Sequence, residues 1–538
     1  MSHYSVEIMN RSYTTAFVLF LCSCAMAQKG YKKVHYQMLD EAKMLLASED
    51  HEEAAKLYKR LLPVDPLFTE VQHDLGVCYA NIPGKKDRAV EYFERGVEGG
   101  YTESFFELAV ARHRQQRFEE ALSLLDRYVQ KSGRMVEDAE VERRRRMIHT
   151  AQERIGAPVE LEIRNMGAMV NSPAHDYCPL VTADGNTMYF TSRREGTTGN
   201  MKDPYGQWFE DIYMARRIDE VWTNAVNAGA PLNTLVHDAT VGLSPDGSSM
   251  IVYRTQQNLV SGDLYEARMH ARKWQQPELM TARINSEHHE PSASIAPGSQ
   301  EIYFTSDRPG GFGGRDLYRI RRLPSGEWSL PLNLGPTVNT PYDEDAPFMH
   351  SDGTTLFFSS NGHGTMGGYD IFKTVLTDAD MNGWSEPENM GYPLNTVNDD
   401  IYFSLSEDGR TGYFSSERSE GMGMQDIYQV TFPNTQLDHM VVHGVVADAS
   451  DEPIKARIIL TDSSGEEIVG IYNSNERTGR FLMILKPQQE YQMSVEAAGF
   501  TALSSVVKAV AQDGSREMSL DITMQPVHDV HGLTRNEK

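Results

Sequence analysis

Residues 285–320 read N-S-E-H-H-E-P-S-A-S-I-A-P-G-S-Q-E-I-Y-F-T-S-D-R-P-G-G-F-G-G-R-D-L-Y-R-I, and this stretch decides the fold. It opens with Asn-Ser and places an acid five positions after the Asn. A Pro-Gly turn then leads into Tyr303-Phe304-Thr305-Ser306, which alternates as a half-buried strand does. A glycine-rich loop precedes Asp316-Leu317-Tyr318, the start of a further strand. These features recur at intervals of about 50 to 60 residues, a period typical of propeller blades.

The repeat occurs five times between residues 158 and 432, and its acid falls at an equivalent position in every copy. The five acids are Asp176, Asp238, Glu290, Glu344 and Asp400. Each acid directly precedes the first strand of its copy. Because the first strands of a propeller surround a central channel, we expect these carboxylates to ring one channel mouth.

Two interpretations of this acid ring are open. The ring could hold a cation or a basic peptide end, which makes the five carboxylates weak candidates for metal ligands. Alternatively, each acid ties neighbouring blades together by accepting hydrogen bonds from backbone N–H or hydroxyl groups. Fivefold repetition favours the structural role, because an enzyme usually needs an asymmetric set of unlike residues. The sequence predicts no cofactor.

The outer strands indicate how the ring closes. Trp222, Trp274, Trp328 and Trp384 each open a fourth strand, and the fifth copy has no such Trp. An unassigned apolar segment, Val159 to Ile163, precedes the first copy. We expect this segment to supply the missing outer strand, which would remove an open sheet edge.

The copies resemble a known propeller repeat. Leu243-Ser244-Pro245-Asp246-Gly247 and Phe304-Thr305-Ser306-Asp307-Arg308 are similar to the WD40-like repeat of TolB-type propellers in bacterial envelope proteins. The resemblance implies a five-bladed β-propeller over residues 158–432.

Residues 31–157 have a different, helical period. Ala54, Ala89 and Ala121 recur at about 34 residues, the length of a helix-turn-helix repeat. Asp74-Leu75-Gly76-Val77-Cys78-Tyr79 resembles the tetratricopeptide signature, and the third copy departs from it by placing Arg112 where an aromatic residue usually stands. Three imperfect copies are expected, capped by a solvated helix from Glu137 to Ile155 that carries the basic run 143–146. Such modules hold peptides or helices in a concave groove.

Residues 438–527 contain short alternating strands separated by turn signals, which predict a small β-sandwich. The order of these strands resembles the carboxypeptidase regulatory-like domain, a transthyretin-like sandwich without catalytic residues. Residues 528–538 form a polar tail that we expect to be disordered. The predicted fold class is therefore multidomain, α plus all-β.

The N-terminus has the pattern of a secretory signal peptide over residues 1–27, with Arg11 before an apolar run from Ala16 to Cys22. That run is too short to span a bilayer. Two cleavage sites compete. Ala25-Met26-Ala27 would release a soluble product, whereas Leu21-Cys22-Ser23-Cys24 resembles a lipoprotein box in which Cys24 is the candidate lipidated residue. Both predict export to the periplasm.

Composition narrows the function classes. The formal net charge of −25 gives no general attraction to nucleic acid, so we expect no nucleic-acid partner. Cys78 and Cys178 lie in different predicted domains, which excludes a disulfide framework and favours two buried apolar thiols. Gly362 to Gly367 matches G-x-G-x-x-G, but a strand follows it instead of a helix, so we interpret it as a blade turn. The sequence contains no hydrolase motif, and we predict that the chain is not an enzyme.

The order of signal, tetratricopeptide repeats, propeller and regulatory-like sandwich resembles the PorE-type envelope proteins associated with type IX secretion. The resemblance implies a non-catalytic periplasmic scaffold that associates with the outer membrane through lipid or partners. Its expected partners are envelope proteins, among them secretion-system components. PorE-type proteins typically end in an OmpA-like domain that this sequence lacks, so attachment to peptidoglycan is left open. The alternative is a propeller-based glycosidase or peptidase, which should show two unlike inward carboxylates.

Overall fold

The computed structural model describes residues 31–133, 139–182, 185–203, 206–219, 221–259, 261–378, 381–406, 409–433, 440–465, 468–487, 489–510 and 517–527. Cys24, both signal cleavage sites and the tail at 528–538 lie outside these residues. The chain is a helical region followed by a β-rich region, as the sequence predicts.

The helical region contains seven described helices. They are α1 (Lys33–Ala47), α2 (His51–Leu61), α3 (Thr69–Asn81), α4 (Lys86–Glu98), α5 (Thr102–Arg114), α6 (Phe118–Ser132) and α7 (Ala139–Gly156). The first six pack as three hairpins. Small residues permit this packing: a Cβ on Gly76 would lie 2.5 Å from the Phe93 ring, so only glycine fits at that crossing. Ala42 and Ala109 are buried at the equivalent crossings.

The β-rich region begins with twenty-three described strands. They are β1 (Glu162–Asn165), β2 (Asp176–Val181), β3 (Thr187–Ser192), β4 (Asp211–Ile218), β5 (Val221–Trp222), β6 (Val226–Asn227), β7 (Asp238–Leu243), β8 (Ser249–Thr255), β9 (Gly262–His270), β10 (Lys273–Trp274), β11 (Glu278–Leu279), β12 (Ala293–Ile295), β13 (Glu301–Ser306), β14 (Asp316–Arg321), β15 (Leu332–Asn333), β16 (Glu344–Met349), β17 (Thr355–Ser360), β18 (Asp370–Asp378), β19 (Gly383–Trp384), β20 (Glu388–Asn389), β21 (Asp400–Leu405), β22 (Thr411–Ser416) and β23 (Asp426–Thr431).

These strands form five antiparallel sheets in chain order. Sheet 1 is β2–β6, sheet 2 is β7–β11, sheet 3 is β12–β15, sheet 4 is β16–β20, and sheet 5 is β21–β23 with β1. The first strands of successive sheets touch, and the first strand of sheet 5 touches that of sheet 1, so the five sheets form a closed ring. The apolar core lies between neighbouring sheets: Ile251 and Leu264 of sheet 2, for example, share a buried cluster with Phe304 and Ile320 of sheet 3.

The ring closes with a strand from the start of the β-rich region, as predicted. Strand β1 pairs antiparallel with β23, with Ile163 opposite Val430. The pairing lies two to three residues further along the chain than the sequence indicated. Val159 instead donates its backbone N–H to the Tyr392 carbonyl at 2.7 Å, before the strand begins.

Two further sheets follow the ring. They are built from β24 (Met440–Ala447), β25 (Arg457–Thr461), β26 (Ile468–Asn473), β27 (Arg480–Leu485), β28 (Glu490–Glu496), β29 (Leu503–Lys508), β30 (Glu517–Ser519) and β31 (Ile522–Thr523). Strand β24 is central in one sheet, and the other has the order β26-β25-β28-β29. Their buried residues form a single apolar cluster that includes Val442, Ile458 and Val495.

None of the described helices has the length and apolar character of a membrane span.

Candidate functional site: the carboxylate ring and the edge that carries it

The five predicted acids all make the same local contact. Each carboxylate accepts hydrogen bonds from the backbone N–H and the side-chain hydroxyl of the Ser or Thr four residues before it. In sheet 4, Glu344 accepts from Thr340 N at 2.7 Å and from Thr340 Oγ1 at 2.7 Å. Asp400 accepts from the same two groups of Thr396 at 2.6 and 2.8 Å. The other three pairs are Asp176 with Ser172, Asp238 with Thr234, and Glu290 with Ser286.

The Asn that precedes each Ser or Thr reaches into the neighbouring sheet. Asn395 accepts from the Ile371 N–H and donates to the Ile371 carbonyl, both at 2.8 Å. The equivalent pairs are Asn171 with Ile427, Asn233 with Ile212, Asn285 with Leu264, and Asn339 with Leu317. Each acid therefore fixes a loop whose Asn is bonded to the third strand of the preceding sheet. We call this set of Asn, Ser or Thr, and acid a latch.

The five latch acids are buried, and their expected ring around a channel mouth stays a prediction. The five carboxylate residues are at most 2% exposed, and each is held within its own sheet. Among the described residues, no three His, Cys, Asp or Glu side chains are grouped so that they could hold a metal ion. The carboxylates stand at equivalent positions but are not brought together.

A basic side chain supports the latch in four of the five sheets. Arg194, Arg254, Arg308 and Arg418 pair with the acids of sheets 1, 2, 3 and 5. Each of these Arg residues also donates to the carbonyl of the residue before the latch Asn, such as Arg418 to Leu394 at 2.8 Å.

Sheet 4 departs from this pattern. Gly362 stands where sheets 1, 3 and 5 have Arg, and the next residue, His363, bonds to the Val338 carbonyl through Nε2 at 2.8 Å. Burial lowers the pKa of His363, which disfavours its charged form. His363 therefore replaces the hydrogen bond that an Arg makes to the equivalent carbonyl in the other sheets, but it does not replace the positive charge of that Arg. Glu344 has no ion pair with Arg or Lys among the described residues, and burial raises its pKa to about 7.

A second set of acids begins the third strands of sheets 1, 3, 4 and 5. In the sequence each of these acids marks only the start of a strand. Asp316 accepts from Phe312 N and Asn333 Nδ2, both at 2.7 Å. Asp211, Asp370 and Asp426 make equivalent bonds with Asn227, Asn389 and Asn165. The signal that could have found these partners is Asn-x-Gly six residues before each latch Asn, as in Asn333-Leu334-Gly335. Sheet 2 lacks this signal, because Leu279 pairs opposite Tyr265 where the others have Asn.

The latch edge of the ring, which carries the five acids and the glycine-rich loops, also holds the helical region. Met366, in the predicted blade turn of sheet 4, is fully buried with Ala151 of α7 and Val397. Arg143 of α7 donates to the Asn361 carbonyl at 2.7 Å and lies 4.4 Å from the Tyr342 ring centre. Helix α7 packs on α6 as a cap would, but it is not solvated as expected: the side chains of Arg143 and Arg144 are 13% and 14% exposed, and Arg143 contacts the ring.

At the opposite edge of the ring, a cavity of about 240 Å³ is lined by the first strands of all five sheets, with Leu180, Leu243, Ile295, Met349 and Leu405 among its walls. The C-terminal sheets reach this edge, where Asn475 donates to Asp246 Oδ2 at 2.7 Å.

The helical region has a groove of about 560 Å³ between α4 and α6, with Leu108 and Arg112 of α5 lining it. Arg112 is the residue that replaces the usual aromatic in the third repeat. In the second repeat the equivalent Tyr79 stacks on Tyr92, with ring centres 5.3 Å apart. In the third repeat Arg112 instead pairs with Glu94.

Both described cysteines are buried and unpaired, as predicted. Burial raises the pKa of the Cys78 and Cys178 thiols to about 12, so neither is a reactive thiolate.

No protein-family model matches the chain, and no curated protein matches its sequence. Solved structures match in two groups. The TolB-like protein of Agrobacterium tumefaciens is 16% identical, covers 61% of this chain and 97% of that chain, and has a TM-score of 0.30. TolB from Acinetobacter baumannii is 14% identical over 55% of this chain and 71% of that chain, with a TM-score of 0.29. The Sgt2 TPR domain from Aspergillus fumigatus is 17% identical over 25% of this chain and 90% of that domain, with a TM-score of 0.23. Similarity at this level does not identify an activity or a partner.

Proposed function

We propose that this chain is a non-catalytic scaffold that works in the periplasm by holding other proteins. The observation that carries the proposal is that the repeated acids are fully occupied in latches, and that the edge bearing them seats a helical module. We interpret the five-sheet ring as a five-bladed propeller and the C-terminal sheets as a β-sandwich. In such an arrangement the ring is a rigid support.

The alternative, a propeller hydrolase, needs two unlike carboxyl groups that face one substrate. Glu210 and Asp345 are unlike carboxylates of the ring, outside the latches. Burial alone would raise the pKa of Glu210, but the His237 hydrogen bond and the Arg193 charge lower it to about 2. Asp345 is paired with Arg315 at 2.6 Å. Each of these two carboxyl groups is bonded to a basic side chain, His237 or Arg315, which favours the scaffold.

The cellular setting follows from the sequence patterns. The signal-like N-terminus supports export, and the order of units, which resembles PorE-type proteins, supports an accessory role in type IX secretion at the outer membrane. Lipid on Cys24 would supply the membrane attachment. Mass spectrometry of the mature N-terminus decides this point: a diacylated Cys24 would support attachment by lipid, whereas a chain beginning at Gln28 would contradict it.

Affinity capture of the tagged full-length chain from detergent-solubilised envelopes tests the scaffold proposal. We expect other envelope proteins to be retained in fixed ratio, with secretion-system components among them. Capture of the chain alone, together with hydrolysis of a glycan or peptide substrate by the purified protein, would contradict the proposal.

A further inference from the structure

The glycine-rich loops of four sheets share one geometry. In each loop the residue before a close-packed glycine donates its backbone N–H to the second-set acid of its sheet. These donors are Thr198, Phe312, Met366 and Met422. The four side chains therefore occupy equivalent positions on the latch edge, and three of them are large and apolar.

The glycine after each of these residues places the loop against the latch of the following sheet. A Cβ on Gly313 would lie 2.2 Å from the Thr340 and Tyr342 carbonyl oxygens. A Cβ on Gly367 would lie 2.3 Å from the Val397 carbonyl carbon, so the same contact recurs one sheet further on. The residue before each of these glycines therefore lies beside the residue that follows the Ser or Thr of the next latch. We call these pairs platforms. They are Phe312 with Pro341, Met366 with Val397, and Met422 with Pro173.

The Met366–Val397 platform is covered by the helical region of this chain. Met366 is 0% exposed and Val397 is 4% exposed, because the helical region covers them. Helix α7 contributes Ala151 and, one turn later, Ile155, and α6 contributes Phe118. A small residue lets the helix approach the platform closely, and the aliphatic residue packs beside it. This contact shows which kind of surface a platform of this ring accepts.

The equivalent platform of sheet 3 is open. Phe312 is 49% exposed, and Pro341 is also exposed. This platform adjoins the existing interface, since Tyr342, which follows Pro341, carries the Arg143 guanidinium over its ring. A helix on the open platform would therefore lie beside α7.

We propose that the Phe312–Pro341 platform is a docking site for an α-helix of a partner protein. The helix presents a small residue and an aliphatic residue one turn apart, as α7 does with Ala151 and Ile155. The inference deepens the scaffold function and rests on it: the ring seats one helical module of its own and a second from its partner.

Site-specific photo-cross-linking in the native host tests the proposal. The photoreactive residue p-benzoylphenylalanine replaces Phe312 in the full-length chain, and Leu330, which is 67% exposed in the same sheet, is the matched control position. We expect a cross-link from position 312, stronger than from 330, to a helical segment of another protein with the small and aliphatic spacing. A cross-link to a second copy of this chain, to a non-helical segment, or no stronger than from position 330 would overturn the proposal.

A second variant separates this proposal from the scaffold function. Phe312→Ser changes an exposed side chain, so the melting temperature should stay within about a degree of wild type. We expect envelope capture with this variant to retain at least tenfold less of the cross-linked partner than capture with wild type. If wild type and Phe312→Ser retain that partner equally, the docking site is wrong and the scaffold function stands. If wild type retains no partner at all, the scaffold function itself fails and the docking site fails with it.

Discussion

Glu344 shows how one neighbouring residue sets the electrostatics of a latch. In sheets 1, 3 and 5 an Arg two positions beyond the second strand balances the acid, whereas in sheet 4 Gly362 stands there and no described Arg or Lys pairs with Glu344. The carboxyl keeps its hydrogen bonds from Thr340 and Ser360. Its charged form is therefore disfavoured by burial.

This imbalance predicts a pH dependence of stability. Because burial raises the pKa of Glu344 from 4.5 to about 7, its favourable contribution is complete below pH 4.5 and is lost as the pH rises through 7. Glu344→Gln should remove this loss, so the variant should gain stability relative to wild type between pH 5 and pH 8. Urea unfolding at several pH values measures the difference. Parallel pH profiles for wild type and variant would contradict this account of Glu344.

The second set of acids offers a matched pair. Asp316 is 1% exposed and accepts three hydrogen bonds, whereas Asp263 of sheet 2 is partly exposed and has Leu279 in place of an Asn partner. Asp316→Ala should cost about 1 to 3 kcal/mol of unfolding free energy, because buried donors lose their acceptor. Asp263→Ala should cost less than about 0.5 kcal/mol. Equal losses in thermal or urea unfolding would contradict the assigned role of Asp316.

At the scale of the elements, the repeats were predictable because each one combines several local signals. Turn glycines, strand alternation and Asn-Ser or Asn-Thr pairs all depend on neighbours in sequence, so they could be read without a structure. The partners of the second acids leave only a weaker signal, Asn-x-Gly six residues before each latch Asn, which does not show which acid each Asn bonds to. Asn333, for example, precedes the repeat of sheet 4 in the chain but is bonded to Asp316 of sheet 3.

Strand β1 is the element on which ring closure depends. Ile163 packs with the cluster of Val430 and Leu394 beside the closing strand. Ile163→Asp should cost about 1 to 3 kcal/mol, because it places a carboxylate in a half-buried apolar site. It should also speed hydrogen exchange in β23, which would lose its outer partner. Glu162→Gln, on the exposed side of the same strand, is the control. Unchanged exchange in β23 for Ile163→Asp would contradict closure by β1.

For the whole molecule, the sequence predicts a helical region and a β-rich region but not how they meet. The contact depends on Met366 in a glycine-rich loop and Ala151 on a charged helix. Neither lies in a periodic apolar pattern that faces outward, so sequence periodicity gives no sign of the interface. The basic run on α7 is likewise ambiguous, because the burial of Arg143 depends on a ring about 200 residues further along the chain.

The central claim is that the repeated acids hold the ring together and do not bind a ligand. Thermal unfolding of wild type, Asp238→Ala and Asp400→Ala, with and without calcium, tests it most directly. Each variant leaves a largely buried Arg without its carboxylate partner and removes a hydrogen-bond acceptor from the latch. Both variants should therefore melt lower than wild type by similar amounts, with a loss of about 1 to 3 kcal/mol of unfolding free energy. Asp263→Ala is the control and should melt near wild type. We predict that calcium leaves all four melting temperatures unchanged. A calcium-induced rise in wild type that is absent from both latch variants would contradict the claim and make the ring a cation site.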